Sequence, residues 1–220
     1  MDIQSLLHQH TCYALDRQLL FTDLIGRLSW SYDVSSGVLS FGDRYEFQAE
    51  ILGTEAEEDS TWLWSWANES SAIPSERIQA ALKMRSWGEE LSISQLTEPC
   101  LSLEDADGHT LAMIAVGKKM GQAYYRGPHA GGAVFLLIVE SQMPWKVEND
   151  LQRISTIFPQ MISELEIKNH QTALLHYLNH YGLEPEETEN TIIVRQQEQE
   201  VLRASFDDFH RLQELKTSNF

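Results

Sequence analysis

Thr61-Trp62-Leu63-Trp64-Ser65-Trp66-Ala67-Asn68 places three of the chain's six tryptophans at alternate positions. Alternation is the period of a β-strand, so Trp62, Trp64 and Trp66 are expected on one face and Leu63, Ser65 and Ala67 on the other. Indole faces can stack on sugars, nucleobases or methylated cations. They are also costly to leave in water. Helical patterns flank the stretch on both sides, which favours burial beneath them, and the strand is expected to be the central one of a covered sheet.

Working outward, three alternating segments precede the tryptophans. Trp30, Tyr32 and Val34 alternate with polar residues, Ser35-Ser36-Gly37 supplies a turn, and Leu39 with Phe41 resumes the alternation. Tyr45, Phe47, Ala49 and Ile51 form the third segment, which Gly53 and the acidic run Glu55 to Asp59 are expected to end. Four short strands with tight connections make an antiparallel meander. Upstream, Ile3, Leu6, Leu7, Tyr13, Ala14, Leu20, Phe21 and Leu24 keep helical spacing, with Asp2 as cap and Gly26 as stop, predicting a helix over Ile3–Ile25.

Downstream, a helix is expected after Pro74 with Gly88 as its terminator, and a buried helix over Gly108 to Met120. Ala123 to Arg126 and Ala133 to Val139 read as a strand pair joined by a loop from Gly127 to Gly132. Met143-Pro144 marks a break. Beyond it an apolar stripe from Leu151 to Leu165 contains Pro159, which predicts a kink or two helices meeting. A helix over Asn169 to Tyr181 ends at Gly182, and Thr191 to Arg195, Glu200 to Phe206 and Arg211 to Lys216 read as three strands. The fold class is therefore α+β: an antiparallel β-meander covered by helices over residues 1–143, and a C-terminal helical and β-meander subdomain over residues 144–220 that can also be part of one domain.

Composition narrows the function classes. Sixteen Lys and Arg against 33 Asp and Glu give a formal charge of -17, which repels phosphate backbones and anionic lipid and would attract a basic protein. No nucleic acid and no membrane are expected as partners. Cys12 and Cys100 form no close pair, no apolar run approaches a membrane span, and the first residues lack the basic-then-apolar order of a signal peptide, so the cytoplasm is the expected compartment. The phosphate-cradling glycine loops, the GxSxG elbow and the calcium loop are not spelled out, and no cofactor and no catalytic residue are assigned.

Two groups of residues remain as candidate sites. Tyr124-Tyr125-Arg126-Gly127-Pro128-His129 brings two phenols, a guanidinium and an imidazole to the edge of a glycine-bearing loop, with Trp64 and Asn68 as further candidates for the same pocket. Arg126 could recognise a carboxylate or phosphate with its planar fork, and His129 could act as acid or base. The plainer alternative is a tyrosine pair split between core and surface, with Arg126 paired to one of many acids. His176 and His180 lie one turn apart on a helix and are weak metal candidates, since Tyr177-Leu178-Asn179 between them lacks the glutamate of HExxH and no third ligand is evident. His8 and His10, two apart on a helix, face different directions and do not suit joint ligation.

Ile51-Leu52-Gly53, the tryptophan stretch with its Ala67-Asn68 ending, Arg85-Ser86-Trp87-Gly88 and Ala123-Tyr124-Tyr125-Arg126, in this order, resemble an uncharacterised bacterial family, a domain of unknown function. The resemblance implies a bacterial, cytoplasmic α+β domain over roughly the first 140 residues, and it carries over no catalytic residue. The expected function is a non-enzymatic acidic protein-interaction domain that neutralises or scaffolds a basic partner. The alternative is a small-molecule binder or hydrolase with a pocket near Tyr125, Arg126 and His129.

Overall fold

In the computed structural model, which describes residues 2–141, 143–144, 151–165 and 167–218, the longest strand is β3, Tyr45–Ala56. The other strands of the N-terminal sheet are β1 (Trp30–Asp33), β2 (Val38–Phe41), β4 (Thr61–Trp64), β5 (Cys100–Ser102), β6 (Ala123–His129) and β7 (Gly132–Ile138). β3 pairs with β2 through Tyr45 to Gln48, with β4 through Gly53 to Ala56, and with β7 from Ala49 to Ala56. All pairings in this sheet are antiparallel, and the path β1-β2-β3-β4-β5 is the expected meander extended by one strand. The central position belongs to β3 and not to the tryptophan strand, because β7 returns from far along the chain to pair with β3.

The tryptophan stretch is also shorter than its alternation implies. β4 ends at Trp64, and Ser65–Ala67 form a 3₁₀ turn. Trp62 and Trp64 share the buried face as expected and are fully buried. Trp66 leaves the sheet and stacks on Trp64 with ring centroids 6.3 Å apart, while the Arg85 guanidinium lies 4.7 Å above its ring. Trp62 is seated by glycines: a Cβ at Gly53 would come within 2.3 Å of its ring, and one at Gly108 within 2.7 Å.

Helix α1, Ile3–Ile25, begins where the Asp2 carboxylate accepts the Ser5 amide at 2.7 Å and ends at Gly26, whose φ of 54° suits glycine. Helix α2, Gln79–Leu91, follows a 3₁₀ turn and runs through Gly88. Gly88 is a contact point and not a terminator, since a Cβ there would lie 2.4 Å from that of Leu96. The four-residue α3, Ser94–Thr97, follows, and α4, Gly108–Gly117, is the buried helix that its apolar run predicts. The expected loop from Gly127 to Gly132 is mostly strand: β6 and β7 pair as far as His129 opposite Gly132, leaving a tight turn.

Beyond residues 145–150, which lie outside the described residues, α5 (Leu151–Glu164) and α6 (His170–His180) precede β8 (Glu186–Glu187), β9 (Thr191–Gln196), β10 (Gln199–Phe206) and β11 (Leu212–Thr217). The last four form an antiparallel sheet in the order β11-β10-β9-β8. Pro159 sits inside α5, which continues as one helix, with Ile154, Phe158 and Met161 of its apolar stripe buried in the core on both sides of the missing amide. The chain is thus α+β throughout. It divides into two compact units, one of Met1–Leu7 with Arg17–Pro144 and the other of His8–Asp16 with Trp145–Phe220. Among the described residues no helix is long and apolar enough to cross a membrane.

Candidate functional site

β6 carries four of the sequence candidates, and strand alternation separates them. Tyr124 points inward and is buried, with its hydroxyl 2.9 Å from His109 Nδ1 near the start of α4. Burial, then the charges of Asp107 and Glu55, push its phenol above the ordinary tyrosine range, so it stays protonated. Tyr125 points the other way and packs against Trp30 and Phe41, with ring centroids 5.4 Å and 4.9 Å away. Burial raises its phenol too. The backbone of Tyr124 is held by the Gln18 side chain, which donates to the carbonyl at 2.9 Å and accepts the amide at 3.2 Å, so an amide of α1 covers the edge of β6 there.

Arg126 shares its face of β6 with Tyr124 and reaches two carboxylates. Its Nε lies 3.4 Å from Glu55 Oε2, and a terminal nitrogen 3.8 Å from Glu57 Oε1. Glu55 is the residue that the acidic-run reading misplaces. It belongs to β3, is buried, and accepts the first amide of α4, Gly108 N, at 2.9 Å. A buried carboxylate is retained where donors satisfy it, and here a helix N-terminus and a guanidinium do so. The guanidinium is consequently already answered by two acids, which leaves it little net attraction for an anion.

The other candidates lie apart from this cluster. His129 is exposed at the end of β6, with Nδ1 3.0 Å from the carbonyl of Ala130. Trp64 is sealed in the core and donates its indole N–H to the Gln95 carbonyl at 3.1 Å. Asn68 caps a local turn by accepting from the Ser71 amide and the Ser70 hydroxyl. The structure thus brings together Tyr124, Arg126, Glu55 and His109, and it does not join them to Tyr125, His129, Trp64 or Asn68. Glu55 and His109 carry no sequence signal beyond their residue types.

In the second unit, His176 is half-buried and burial lowers its imidazole below the ordinary range. His180, the last residue of α6, has Nε2 3.3 Å from His10 Nδ1. Asp16, fully buried, accepts from the Tyr177 hydroxyl at 2.8 Å, from the Tyr181 hydroxyl and from Arg153 Nε at 2.7 Å. Among the described residues no group of three or more His, Cys, Asp or Glu is placed to hold a metal ion.

Fold and site together define an α+β protein whose N-terminal antiparallel sheet buries a tryptophan pair and a clamped carboxylate. The chain belongs to the family of unknown function DUF6882, whose model matches residues 4–140. Comparison with curated proteins and with solved structures found no match.

Proposed function

We propose that the chain is a non-enzymatic, acidic protein-interaction domain that neutralises or scaffolds a basic partner in a bacterial cytoplasm. One observation carries this beyond the net charge of -17. Glu57, Glu58 and Asp59 in the β3–β4 turn and Glu104 and Asp105 after β5 are all exposed. Two backbone hydrogen bonds tie their loops into one end of the sheet: Leu103 N donates to Ser60 O at 2.9 Å, and Glu57 N donates to Gly131 O at 3.0 Å. Five carboxylates gathered on short, hydrogen-bonded turns form a fixed negative field, which steers and orients a basic surface more than a diffuse charge of the same size would.

The test compares the full chain with a variant carrying Glu57→Gln, Glu58→Gln, Asp59→Asn, Glu104→Gln and Asp105→Asn. Both are used to capture proteins from a bacterial lysate at rising salt. A basic protein held by the natural chain at moderate salt and lost by the variant is the expected result. Recovery of nothing at low salt, or of the same proteins with both baits, rejects the proposal.

A further inference from the structure

We propose that His10 and His180 form a chelating site for a single late first-row divalent cation such as Zn2+, Ni2+ or Cu2+. The two histidines come from distant parts of the chain, the middle of α1 and the last position of α6, and both belong to the second compact unit. His10 Nδ1 and His180 Nε2 face each other at 3.3 Å, with the ring planes 54° apart. Metal–imidazole bonds of about 2.0–2.1 Å at tetrahedral angles put two ligand nitrogens about 3.3–3.4 Å apart, which is this separation. The two nitrogens share one N–H in a hydrogen bond, and a cation bound there would displace that proton.

The surroundings hold these rings in place. Tyr13, one turn beyond His10, stacks on the His180 ring at 4.6 Å and 21°. It also meets Tyr181 edge-on, and Tyr181 is itself anchored by its hydroxyl to buried Asp16. Stacking and hydrogen bonding fix side-chain orientation before a ligand arrives, which lowers the ordering cost of binding. His180 also sits at the C-terminal end of α6, where the helix dipole favours a positive charge. Imidazole nitrogen suits zinc, nickel and copper and ranks poorly for magnesium or calcium. Two imidazoles are the contribution of the described residues. The partner assignment differs from the His176–His180 pair that helical spacing alone suggests, so the two pairs can be separated by experiment.

The metal-stripped full chain is titrated with Zn2+ and Ni2+ by calorimetry, beside His10→Gln, His180→Gln and His176→Gln, with folding of each variant checked by circular dichroism. One ion per chain is expected for the natural protein and for His176→Gln, with binding lost in both other variants. His180→Gln, at a half-buried helix end, keeps the test open if the buried His10→Gln fails to fold. Electron paramagnetic resonance of the Cu2+ form should show coupling to two imidazole nitrogens, a signal absent from His180→Gln, and acidification should release the ion because imidazolium has no lone pair. No binding, binding that survives His180→Gln, or binding abolished by His176→Gln overturns the assignment.

Discussion

Trp64 and Asp16 are both fully buried, yet they hold their surroundings by different physics. Around Trp64 the sheet offers apolar bulk: Trp62 crosses it edge-on at 5.5 Å, Phe135 crosses Trp62 at 5.4 Å, and the buried Trp62 indole nitrogen has no hydrogen-bond partner among the described residues. Around Asp16 the core is equally closed, but its closure depends on donors. Two phenols and a guanidinium converge on one carboxylate, beside the buried Cys12. The first region tolerates an unmet polar group because volume dominates its energy. The second would be costly with any partner missing, since a buried charge without its donors loses more than it gains from packing.

The difference is measurable. Trp64→Ala should show the largest loss, about 3–5 kcal/mol from the cavity left behind, read as a fall in the denaturant midpoint. Trp64→Phe should recover part of that loss, since it restores bulk but leaves the Gln95 carbonyl without its donor. Asp16→Ala should cost about 2–4 kcal/mol, below the figure for a sealed ion pair because the Arg153 side chain is 27% exposed and retains a path to water. Asp16→Asn should recover little, since an amide presents one acceptor atom to three donor groups. A second readout reports the same opening. Burial, and then the charge of Asp16, push the Cys12 thiol up to about 12, so native Cys12 should resist alkylation while exposed Cys100 reacts. In Asp16→Ala, Cys12 should become labelled well below the unfolding midpoint. A stability loss under about 1 kcal/mol in that variant would show that the network fills space and no more.

The two regions were also unequally legible in the sequence. Period-two alternation placed Trp62 and Trp64 on one buried face, and period 3.6 placed α1 from Ile3 to Ile25, because both rest on local spacing that the chain displays directly. Long-range pairing is not local. β7 beside β3, and with it the central place of β3, depends on residues some eighty positions apart, and the three-residue β5 is too short to show a period. Asp16 is one of 33 acidic residues, and its partners lie more than 130 positions away, so nothing nearby marks it. Glu55 was hidden by its neighbours, since a run of acids reads as a solvated turn even when its first member faces inward. Gly88 is ambiguous for another reason: glycine stops helices, but it also lets two segments approach, and only the Leu96 contact distinguishes the two uses. At the candidate site, the alternation of β6 foretold that Tyr124 and Tyr125 would part, whereas His109 had to be supplied by the fold.

Glu55 lies between the two regimes, which makes it a finer test. It is a buried acid like Asp16 but sits in the apolar unit, accepting one backbone amide and one guanidinium. Glu55→Ala should cost about 1–3 kcal/mol for the Gly108 amide left without an acceptor, less than Asp16→Ala because Arg126 still has Glu57 within reach. Hydrogen exchange should localise the effect to the first turn of α4. If Glu55→Ala proves as damaging as Trp64→Ala, the apolar unit depends on donors after all and the contrast fails.

The smallest effect comes from a carboxylate with several donors and no burial. Asp33, the last residue of β1, accepts from the hydroxyls of Ser35 and Ser36 and from the Ser35 amide at 2.7–2.9 Å. The Ser35 hydroxyl, then that of Ser36, lower its carboxyl from 3.8 to about 2. A carboxyl depressed on folding stabilises the hairpin above its unfolded value, and that contribution is lost as pH falls through the folded one, here between about 4 and 2. A carboxyl titration by NMR should place the midpoint near the lower figure and return it toward the ordinary range in Ser35→Ala, Ser36→Ala. Because the donors of Asp33 are exposed and water can replace each of them, the melting temperature at neutral pH should barely move in that variant. Donor number would then matter only where water cannot substitute, and the weight assigned to Asp16 follows from its burial and not from its count of hydrogen bonds.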